Sequence, residues 1–528
     1  MERFEVIIVG GGPVGVALAV DLGLRGVSCA LVERRTALSV IPKGQGLFQR
    51  TMEHFYFWGM DDKLRAVRTM SPDHPIGQLT IYRDLLSDYW GAPIGHDVVD
   101  PYFFLKNERL PQYKTEEVLR ERVAGLPSVR ANFGYRATGL SQDETGVEVY
   151  VEGEGQSLTL AGDYLVGCDG GGSLVREAAD IERKGTNFDE VMALVIFRSR
   201  ELHQSLTRFP PRSTYRVLHP DLNGYWMFFG RVDDDESFFF HAPVPKPHDT
   251  DNVDVAALLH KAAGFAFPFE VDHLGFWDLR VQIAEKYHAG RTFIAGDAAH
   301  THPPYGGFGL NNGLEDVANL GWKLAAALRG WGGEALLDSY SAERQPAFHD
   351  VGENLIAAGI REEREFLRAH TPERDGAAFG LLFQDLADAF SRQNRAYETH
   401  YDGSPVIVAA PGGLSGALGS YEIAARAGHH LHPQVLSTGA NVYTELGPWF
   451  TLLALGASGE RVAAFEAAAR VRGVPLKVVC DADAVVRDAY QADAVLVRPD
   501  QFVAWSSAEQ EQDPARVLDI VTGWSPRH

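Results

Sequence analysis

A run rich in glycine and proline begins at Gly296-Asp297 and has the composition of a ligand-binding loop rather than of a hydrophobic core. It contains Pro303-Pro304 and Gly306-Gly307, and residues with helical apolar spacing follow it. Glycine lets a backbone approach a flat ligand closely because no Cβ intervenes. The following helix would direct free N–H groups and the positive end of its dipole at that ligand. The run therefore predicts a site for a ring system that gains negative charge.

A second Gly-rich stretch, Gly10-Gly11-Gly12-Pro13-Val14-Gly15, lies between an apolar run that ends at Val9 and a helical pattern that reaches Arg25. A further apolar run then leads to Glu33. The order strand, G-x-G-x-x-G, helix, strand and acidic residue is the dinucleotide-binding fingerprint. A Gly-rich turn in an unrelated α/β unit is the alternative, but such a turn does not require all these elements in register.

Each residue of the fingerprint has a physical role. Gly10 permits the tight turn, and Gly12 lets a pyrophosphate approach the backbone at the helix N-terminus. Gly15 lets the helix lie close to the strand, and Glu33 can accept hydrogen bonds from a ribose. The fingerprint by itself does not distinguish FAD from NAD.

Length and composition limit the remaining possibilities. At 528 residues the chain is too long for one hydrophobic core, so two or three domains are expected. A formal net charge of −22 argues against a nucleic-acid or anionic-membrane partner. Three widely spaced cysteines without metal-ligand spacing predict a reduced, intracellular protein with no metal site. Since no apolar run approaches ~18 residues and no leader pattern is evident, the protein is predicted to be cytoplasmic.

The stretch from Ala284 to Phe348 resembles the second flavin-binding motif of the single-component FAD-dependent aromatic hydroxylases, the p-hydroxybenzoate and phenol hydroxylase family. The likeness includes Ala318-Asn319-Leu320-Gly321-Trp322-Lys323-Leu324 and Tyr340-Ser341-Ala342-Glu343-Arg344-Gln345-Pro346. An N-terminal fingerprint followed by a late Gly-Asp motif is the order found in such FAD proteins. The resemblance implies FAD as cofactor. It also implies NADH or NADPH as a transient cosubstrate without a Rossmann domain of its own.

The resemblance further implies cofactor-binding residues in several motifs. These are Gly10, Gly12, Pro13, Gly15, Glu33, Arg34, Lys43, Gln112, Asp169, Asp297, Gly309, Leu310 and Asn311. Asp297 is expected to accept hydrogen bonds from the ribityl hydroxyls. Gly309 to Asn311 would place backbone donors near flavin N1 and O2. Pro303 and Pro304 are predicted to shape the loop at the flavin edge, where a proline offers no N–H to compete for the reactive oxygen.

Some of these residues have ordinary structural alternatives. Gln112 begins a segment that also has the pattern of an amphipathic helix start. Asp169 lies in a Cys168-Asp169-Gly170 turn that is also typical of a strand–turn–helix unit. His300 and His302 are interpreted as structural, because their spacing completes no metal site.

The predicted fold class is α/β, with a Rossmann-type FAD-binding domain, an inserted antiparallel-sheet substrate domain and a C-terminal thioredoxin-like domain. Aromatic and β-branched runs between Ile181 and Asp278 indicate the sheet, and Asn223-Gly224 is a hairpin turn signal. Arg498-Pro499-Asp500-Gln501-Phe502-Val503-Ala504-Trp505 resembles the thioredoxin-like domain of the phenol-hydroxylase branch. Without C-x-x-C, that domain is expected to serve stability or dimer contacts. The predicted boundaries are 1–180 with 281–395, 181–280 with about 75–110, and 400–528.

Candidate substrate-pocket residues come from strands of the predicted antiparallel sheet. Tyr225, Arg231 and His241 are the candidates for substrate contact, and Phe229 and Phe239 are expected to face inward with them. The alternative is that this aromatic stripe is ordinary core. Because a phenol has a pKa near ~10, a base or a relay is chemically expected, but the sequence does not identify it.

The resemblance implies an NAD(P)H- and O₂-dependent monooxygenase that hydroxylates a phenolic or other electron-rich aromatic ring through a flavin C4a-hydroperoxide. The protein would hold FAD, orient the ring and exclude water. Its partners would be a small aromatic substrate and O₂, and a homodimer is expected from the family alone. The alternatives are an epoxidase or Baeyer–Villiger oxygenase of the same fold, and a flavin-binding protein without oxygenase turnover.

Overall fold

The computed structural model describes residues 2–222, 224–245, 252–410, 412–509 and 512–524. Three larger sheets organise these residues. Asn223 of the predicted Asn223-Gly224 turn lies outside the described residues. The strands before and after it, Thr214–Leu218 and Met227–Arg231, pair in antiparallel register.

The first sheet, called here the parallel sheet, contains the N-terminal fingerprint. Its central strands run parallel in the order Thr292–Ile294, Gln156–Gly167, Glu2–Val9, Cys29–Glu33 and Val129–Phe133. The antiparallel strands at its margins are His288–Ala289, Val147–Gly153 and Arg136–Gln142. The apolar residues that end Glu2–Val9 are buried, as expected of a parallel strand covered on both faces. Both Gly-rich loops begin where a parallel strand ends, so they meet at one edge of this sheet.

The second sheet, called here the roof sheet, has eight strands and is antiparallel except for one pair. Its order is His300–Thr301, Glu270–Ala284, Arg183–Arg198, Ser237–Pro245, Met227–Arg231, Thr214–Leu218, Gln78–Tyr82 and Trp90–Gly91. The predicted antiparallel sheet is therefore present, and it also recruits two strands from residues 78–91. A short ladder between Gly46–Leu47 and Glu108–Arg109 is separate from both large sheets.

Helices connect and cover these sheets. In chain order they are Pro13–Leu24, Gln49–Phe57, Asp61–Ala66, Gln112–Ala124, Leu174–Ala178, Arg200–Ser205, Val255–Ala263, Phe308–Leu328, Glu334–Asp350, Ala358–Ala369, Pro372–Asp375, Phe379–Ala396, Val442–Glu445, Gly459–Arg472, Ala484–Tyr490 and Pro514–Val521. The segment Val351–Ala357 is a π-helix, so the helical stretch from Glu334 to Ala369 changes its hydrogen-bonding pattern there.

The C-terminal sheet has four strands in the order Leu476–Cys480, Phe450–Ala454, Ala494–Val497 and Val503–Ser506. The first pair is parallel and the other pairs are antiparallel. Helices Gly459–Arg472 and Pro514–Val521 contribute residues to the same buried apolar cluster as this sheet. The mixed α/β fold class is thus confirmed, whereas the thioredoxin likeness and the domain boundaries stay predictions.

A buried ionic network joins the C-terminal sheet to the two long helices Phe308–Leu328 and Glu334–Asp350. The Glu343 carboxylate accepts hydrogen bonds from Lys323 Nζ at 2.6 Å and from both Nη atoms of Arg498 at 2.7 and 2.9 Å. Arg498 also pairs with Asp500 at 2.6 Å. The side chains of all four residues are fully buried, so these ion pairs are shielded from water.

A second polar junction centres on His429. Its Nδ1 lies 2.8 Å from Glu398 Oε1, and its Nε2 lies 3.1 Å from Asp402 Oδ1. Burial disfavours the charged imidazole, and Arg426 also opposes it. Hydrogen bonds with Asp402 and Glu398 outweigh both effects and raise the pKa of His429 to about 9. His429 is therefore a cation that bridges two carboxylates at neutral pH.

We expect the free energy of unfolding to fall between about pH 6.5 and pH 9 as folded His429 loses its proton. Below about pH 6.5 the imidazole is protonated in the folded and the unfolded chain, so its stabilising contribution is complete. That contribution, roughly 1–3 kcal/mol, is lost as the pH rises through the folded pKa. Urea-unfolding midpoints of the wild type and of His429→Gln across this range measure it. Parallel profiles for the two proteins would contradict the assignment.

Candidate active site

A cavity of about 670 Å³ opens at the carboxyl ends of the parallel strands and extends beneath the roof sheet. Residues of both Gly-rich loops line one part of it. Aromatic residues of the roof sheet line another part, and these are Trp226, Phe228, Phe239, His241 and Trp277. One continuous cavity thus joins the predicted cofactor site to an aromatic chamber.

The fingerprint glycines form a cradle, and the steric reason that excludes a side chain differs from one position to the next. Gly10 has φ +108°, and a Cβ there would lie 2.2 Å from the Cys168 carbonyl oxygen. A Cβ on Gly15 would lie 1.9 Å from the Gly10 carbonyl oxygen. A Cβ on Gly12, in contrast, would meet no protein atom within 4 Å, because Gly12 borders the cavity. Gly10 and Gly15 are therefore required by the protein, and Gly12 keeps space for a ligand.

Glu33 sits beside this cradle at the end of its strand and lines the cavity. Its carboxylate accepts hydrogen bonds from the backbone N–H of Gly11 at 2.6 Å and of Arg35 at 2.9 Å. The next residue, Arg34, is exposed and does not line the cavity, whereas Arg35 does. The residue that shares the cavity side with Glu33 is therefore Arg35 rather than the predicted Arg34.

The two helices that follow the Gly-rich loops begin at the cavity without side-chain caps. Helix Pro13–Leu24 begins after Gly12, and helix Phe308–Leu328 begins after Gly307. Pro13, Gly309 and Leu310 line the cavity. The uncapped N–H groups and the dipole of each helix favour a negative charge at its start. The site can therefore hold an anionic group at one helix and a charge-accepting ring at the other.

Asn311 holds the second helix start in place rather than lining the cavity. Its Nδ2 donates to the carbonyl oxygens of Gly46 at 3.0 Å and Gly307 at 2.7 Å. Its Oδ1 accepts from the Phe48 N–H at 2.8 Å and from the Thr51 hydroxyl at 2.6 Å. The side chain is thus fully used in clamping two loops, so only the backbone of Asn311 is left for the predicted flavin contact.

Asp297 lies in the turn Gly296–Ala298 and faces the cavity. Burial raises the pKa of its carboxyl, and nearby cationic side chains, including Lys43, oppose that shift. Lys43 and Pro304 also line the cavity. Pro303 is buried and does not line it, and its carbonyl oxygen contacts Nδ1 of His302. These positions are compatible with the ribityl and flavin-edge roles, which remain predictions.

Gln112 and Asp169 differ in how directly they reach the cavity. Gln112 lines it, and its Nε2 donates to Glu116 Oε1 at 2.8 Å. The Asp169 carboxylate instead accepts hydrogen bonds from the Ser173 hydroxyl and from the Val175 N–H, the latter at 3.2 Å. It therefore stabilises the start of helix Leu174–Ala178 and does not line the cavity. The neighbours of Asp169, Cys168 and Gly170, are the ones that do.

His241 is the most distinctive residue of the aromatic chamber. It stacks on Phe228 with ring centroids 4.4 Å apart and lies edge-on to Trp277 at 4.9 Å. Its Nδ1 is buried without a hydrogen-bond partner among the described residues. Burial lowers the pKa of His241 to about 3, so the imidazole is neutral at working pH.

The structure does not bring the other two predicted pocket residues to the cavity. Arg231 points to the opposite face of the roof sheet, where its Nη1 lies 2.9 Å from His203 Nδ1. Tyr225 is buried, and Arg364 lies over its ring at 5.8 Å. The reason is register, since Phe228 pairs with His241 and Gly230 with Phe239. Phe229 and Arg231 therefore face away from the chamber, because a shift of one residue exchanges the two faces of a strand.

The two histidines of the Gly-Asp run have different surroundings. His300 Nε2 lies 2.8 Å from Asp316, which Arg344 also contacts at 2.8 Å, and its ring stacks on Phe348. This is a fully buried structural network. His302 lines the cavity, and burial lowers its pKa to about 4, so it is a neutral neighbour of the second helix start.

Several cavity residues were not predicted from the sequence. They are Arg35, His96, Arg109, Ser213, Trp226, Phe228, Trp277 and Arg280. The strand register would have indicated Phe228 once His241 was placed. No local pattern indicates Arg109, which lies in a two-residue strand.

Comparison with known proteins agrees with this geometry. The family model described as "FAD binding domain" matches residues 3–354, and the model "Aromatic-ring hydroxylase, C-terminal" matches residues 429–525. The chain is 30% identical to 4-methyl-5-nitrocatechol 5-monooxygenase from Burkholderia sp, covering 97% of this chain and 96% of that protein. It is also 30% identical to aklavinone 12-hydroxylase RdmE from Streptomyces purpurascens, with 98% of each covered.

Solved structures give the same result for the whole chain. RebC with bound 7-carboxy-K252c superposes with a TM-score of 0.86 at 27% identity, covering 99% of this chain and 100% of that one. A ternary complex of aklavinone-11 hydroxylase with FAD and aklavinone gives a TM-score of 0.83 at 26% identity, with 99% of each chain covered.

The fold, the cradle and the aromatic chamber define an FAD-dependent monooxygenase of the aromatic-hydroxylase class. The chain belongs to the FAD binding domain family, with the C-terminal domain of the aromatic-ring hydroxylases. The predicted family and the FAD cofactor are thus confirmed. The residues fit FAD, since Gly12 leaves space at one uncapped helix start and Asp297 lines the same cavity. Among the described residues, no helix combines the length and apolarity needed to cross a membrane.

Proposed function

We propose that this enzyme hydroxylates a phenolic ring held in the aromatic chamber beneath the roof sheet, with NADH or NADPH as electron donor. The observation that carries the proposal is the single cavity that runs from the glycine cradle to the chamber wall. The relatives support it, because their names describe oxygenation of a nitrocatechol and hydroxylation of aklavinone.

Bound FAD supplies the electron transfer and the activation of oxygen. The chain supplies the surroundings. Phe228, Phe239 and Trp277 offer apolar surfaces against which an aromatic ring can pack. The same surfaces exclude water from the reacting edge. Pro304 borders the cavity without a backbone donor that could compete there.

His241 is suited to position a hydroxyl group rather than to remove its proton. An imidazole with a pKa of about 3 is a very weak base, far below the ~10 of a phenol. It can still exchange a hydrogen bond with the phenolic hydroxyl, which would satisfy the Nδ1 atom that has no partner among the described residues.

The function is tested by anaerobic mixing of the FAD-loaded enzyme with NADH or NADPH, with and without a panel of phenols, followed by ¹⁸O₂. The expected result is that one phenol class accelerates flavin bleaching and yields a product with one ¹⁸O atom in a new hydroxyl group. Flavin reduction without any labelled product from the whole panel would overturn the proposal. A labelled epoxide or lactone would favour the other oxygenases of this fold.

Replacing His241 with phenylalanine is expected to lower kcat/KM for a phenolic substrate about 2- to 10-fold. The change keeps the stack between Phe228 and Trp277 but removes one hydrogen bond, which is worth about 0.5–1.5 kcal/mol. The methyl ether of the same substrate serves as control in a binding titration, and its affinity should not change. A loss well above 100-fold, or a wild-type pH profile with a His241-dependent limb near pH 6.5, would instead indicate a base.

A further inference from the structure

One guanidinium group in the substrate chamber has no anionic partner in the part of the chain that the structure describes. Arg109 belongs to the strand Glu108–Arg109, which pairs with Gly46–Leu47 beside the cofactor cavity. Its side chain lines the cavity and lies over the Phe239 ring at 5.7 Å. Phe239 in turn lies 5.4 Å from the His241 ring. Arg109 is thus part of the same chamber wall as the ring-binding aromatics.

The hydrogen bonds of Arg109 leave most of its donors unused. Its Nη2 donates to the carbonyl oxygens of Arg231 at 3.3 Å and Ser213 at 3.5 Å, and both contacts are long. Its Nε is buried without a partner. No hydrogen bond from its Nη1 occurs among the residues that the structure describes. A guanidinium has five N–H donors in a planar fork, so Arg109 is poorly satisfied by the protein alone.

Among the described residues, no carboxylate pairs with this charge. The adjacent Glu108 turns its carboxylate to Arg68, whose Nε donates at 2.7 Å, and to Arg65 at 3.6 Å. Arg109 forms no ion pair with any described residue. Burial lowers the pKa of Arg109 to about 10, which still leaves it a cation at neutral pH. Arg109 is half-buried and has no counter-charge in the described ranges. Withdrawing an unpaired cation from water is costly, and proteins normally pair such groups.

A comparison with Arg231 shows that a nearby arginine need not face the chamber. Arg231 is buried, whereas Arg109 is half-buried. The Arg231 guanidinium contacts His203 and lies over the rings of Tyr215 and Phe238 on the other face of the roof sheet. Only Arg109 of this pair lines the cavity. The two arginines therefore form a natural test and control.

We propose that Arg109 is a specificity-determining residue that binds a planar oxyanion on the aromatic substrate, either a carboxylate or an ionised hydroxyl group. The inference rests on the proposed function, because it places the anion on the compound that occupies the chamber. Both groups present oxygen lone pairs in a plane, which matches the guanidinium fork and gives charge-assisted hydrogen bonds. The substrate then supplies the counter-charge that the protein omits.

The test measures binding without turnover. FAD-loaded enzyme is titrated, in the absence of NAD(P)H, with two matched pairs of probe ligands, and the dissociation constants are read from the flavin absorbance change. The pairs are 4-hydroxybenzoate against 4-hydroxybenzamide, and 4-nitrophenolate against 4-nitroanisole. The wild type is expected to prefer the anion of at least one pair by about 10- to 100-fold, the range for a hydrogen bond to a charged group. The sensitive pair identifies the carboxylate or the phenolate as the anion.

Three variants complete the experiment. Arg109→Met should bring the two ligands of the sensitive pair to within about threefold of each other, whereas Arg109→Lys should keep part of the preference, because it retains the charge but loses the fork. Arg231→Met should keep the preference. The ratio within one protein is independent of expression level or partial loss of fold. An absent preference in the wild type, or a preference retained in Arg109→Met, would overturn the proposal. If the preference is present and no phenol is oxygenated, the proposed function fails and the anion site stands.

Discussion

Replacing Gly12 with alanine is expected to reduce the affinity for FAD at least ~100-fold while the protein remains folded. The backbone at Gly12 has φ −73° and ψ −179°, which alanine adopts freely. The added Cβ would meet no protein atom within 4 Å. It would instead occupy the space at the uncapped start of helix Pro13–Leu24, where a pyrophosphate approaches the backbone. A 100-fold loss corresponds to about 2.7 kcal/mol.

The measurement is a fluorescence titration of FAD into the apoprotein, with circular dichroism to verify the fold. Gly459→Ala is the matched control, because a Cβ on Gly459 also meets no atom within 4 Å but lies at an exposed helix start far along the chain. Gly10→Ala gives the opposite contrast, since its Cβ would lie 2.2 Å from the Cys168 carbonyl oxygen and should disturb the fold itself. An FAD affinity for Gly12→Ala within threefold of the wild type would refute the assigned role.

Replacing Glu343 with glutamine is expected to destabilise the protein by about 3–5 kcal/mol, the usual cost of breaking a buried ion pair from one side. The substitution keeps the side-chain shape but removes the charge that Lys323 and Arg498 share. Burial lowers the pKa of Lys323 to about 8, and Glu343 opposes that shift. Without Glu343, Lys323 can give up its proton more easily, so the destabilisation should be smaller at alkaline pH.

The shifts of the thermal and urea unfolding midpoints measure this effect. Midpoints are used instead of an extrapolated free energy of unfolding, because a chain of several domains is not expected to unfold in one two-state step. Glu445→Gln is the control, since its pair with Lys477 at 3.4 Å joins side chains that are 40% and 44% exposed. Such a surface pair contributes only about 0–1 kcal/mol. Equal midpoints for Glu343→Gln and Glu445→Gln would show that the buried network does not stabilise the contact between the C-terminal sheet and the long helices.

The sequence by itself determined the parts of this protein that depend on local steric rules. The G-x-G-x-x-G turn, its strand and helix, and the acid at Glu33 are close together in the chain, so their residue types alone define a cradle. The Gly-Asp run likewise predicted a cavity-lining loop and a helix start, and both are present. Motif order and family likeness then indicated FAD and aromatic hydroxylation, which the comparisons confirm.

Only the tertiary structure decided which side chains meet in the substrate chamber. The inward face of Met227–Arg231 depends on its register with Ser237–Pro245, and an error of one residue had selected Phe229 and Arg231 instead of Phe228. Arg109 reaches the chamber from a two-residue strand about 130 residues before Phe239, the ring that its guanidinium contacts. Such contacts join residues far apart in the chain or depend on strand register. Local composition and spacing predict neither the long-range contacts nor the register.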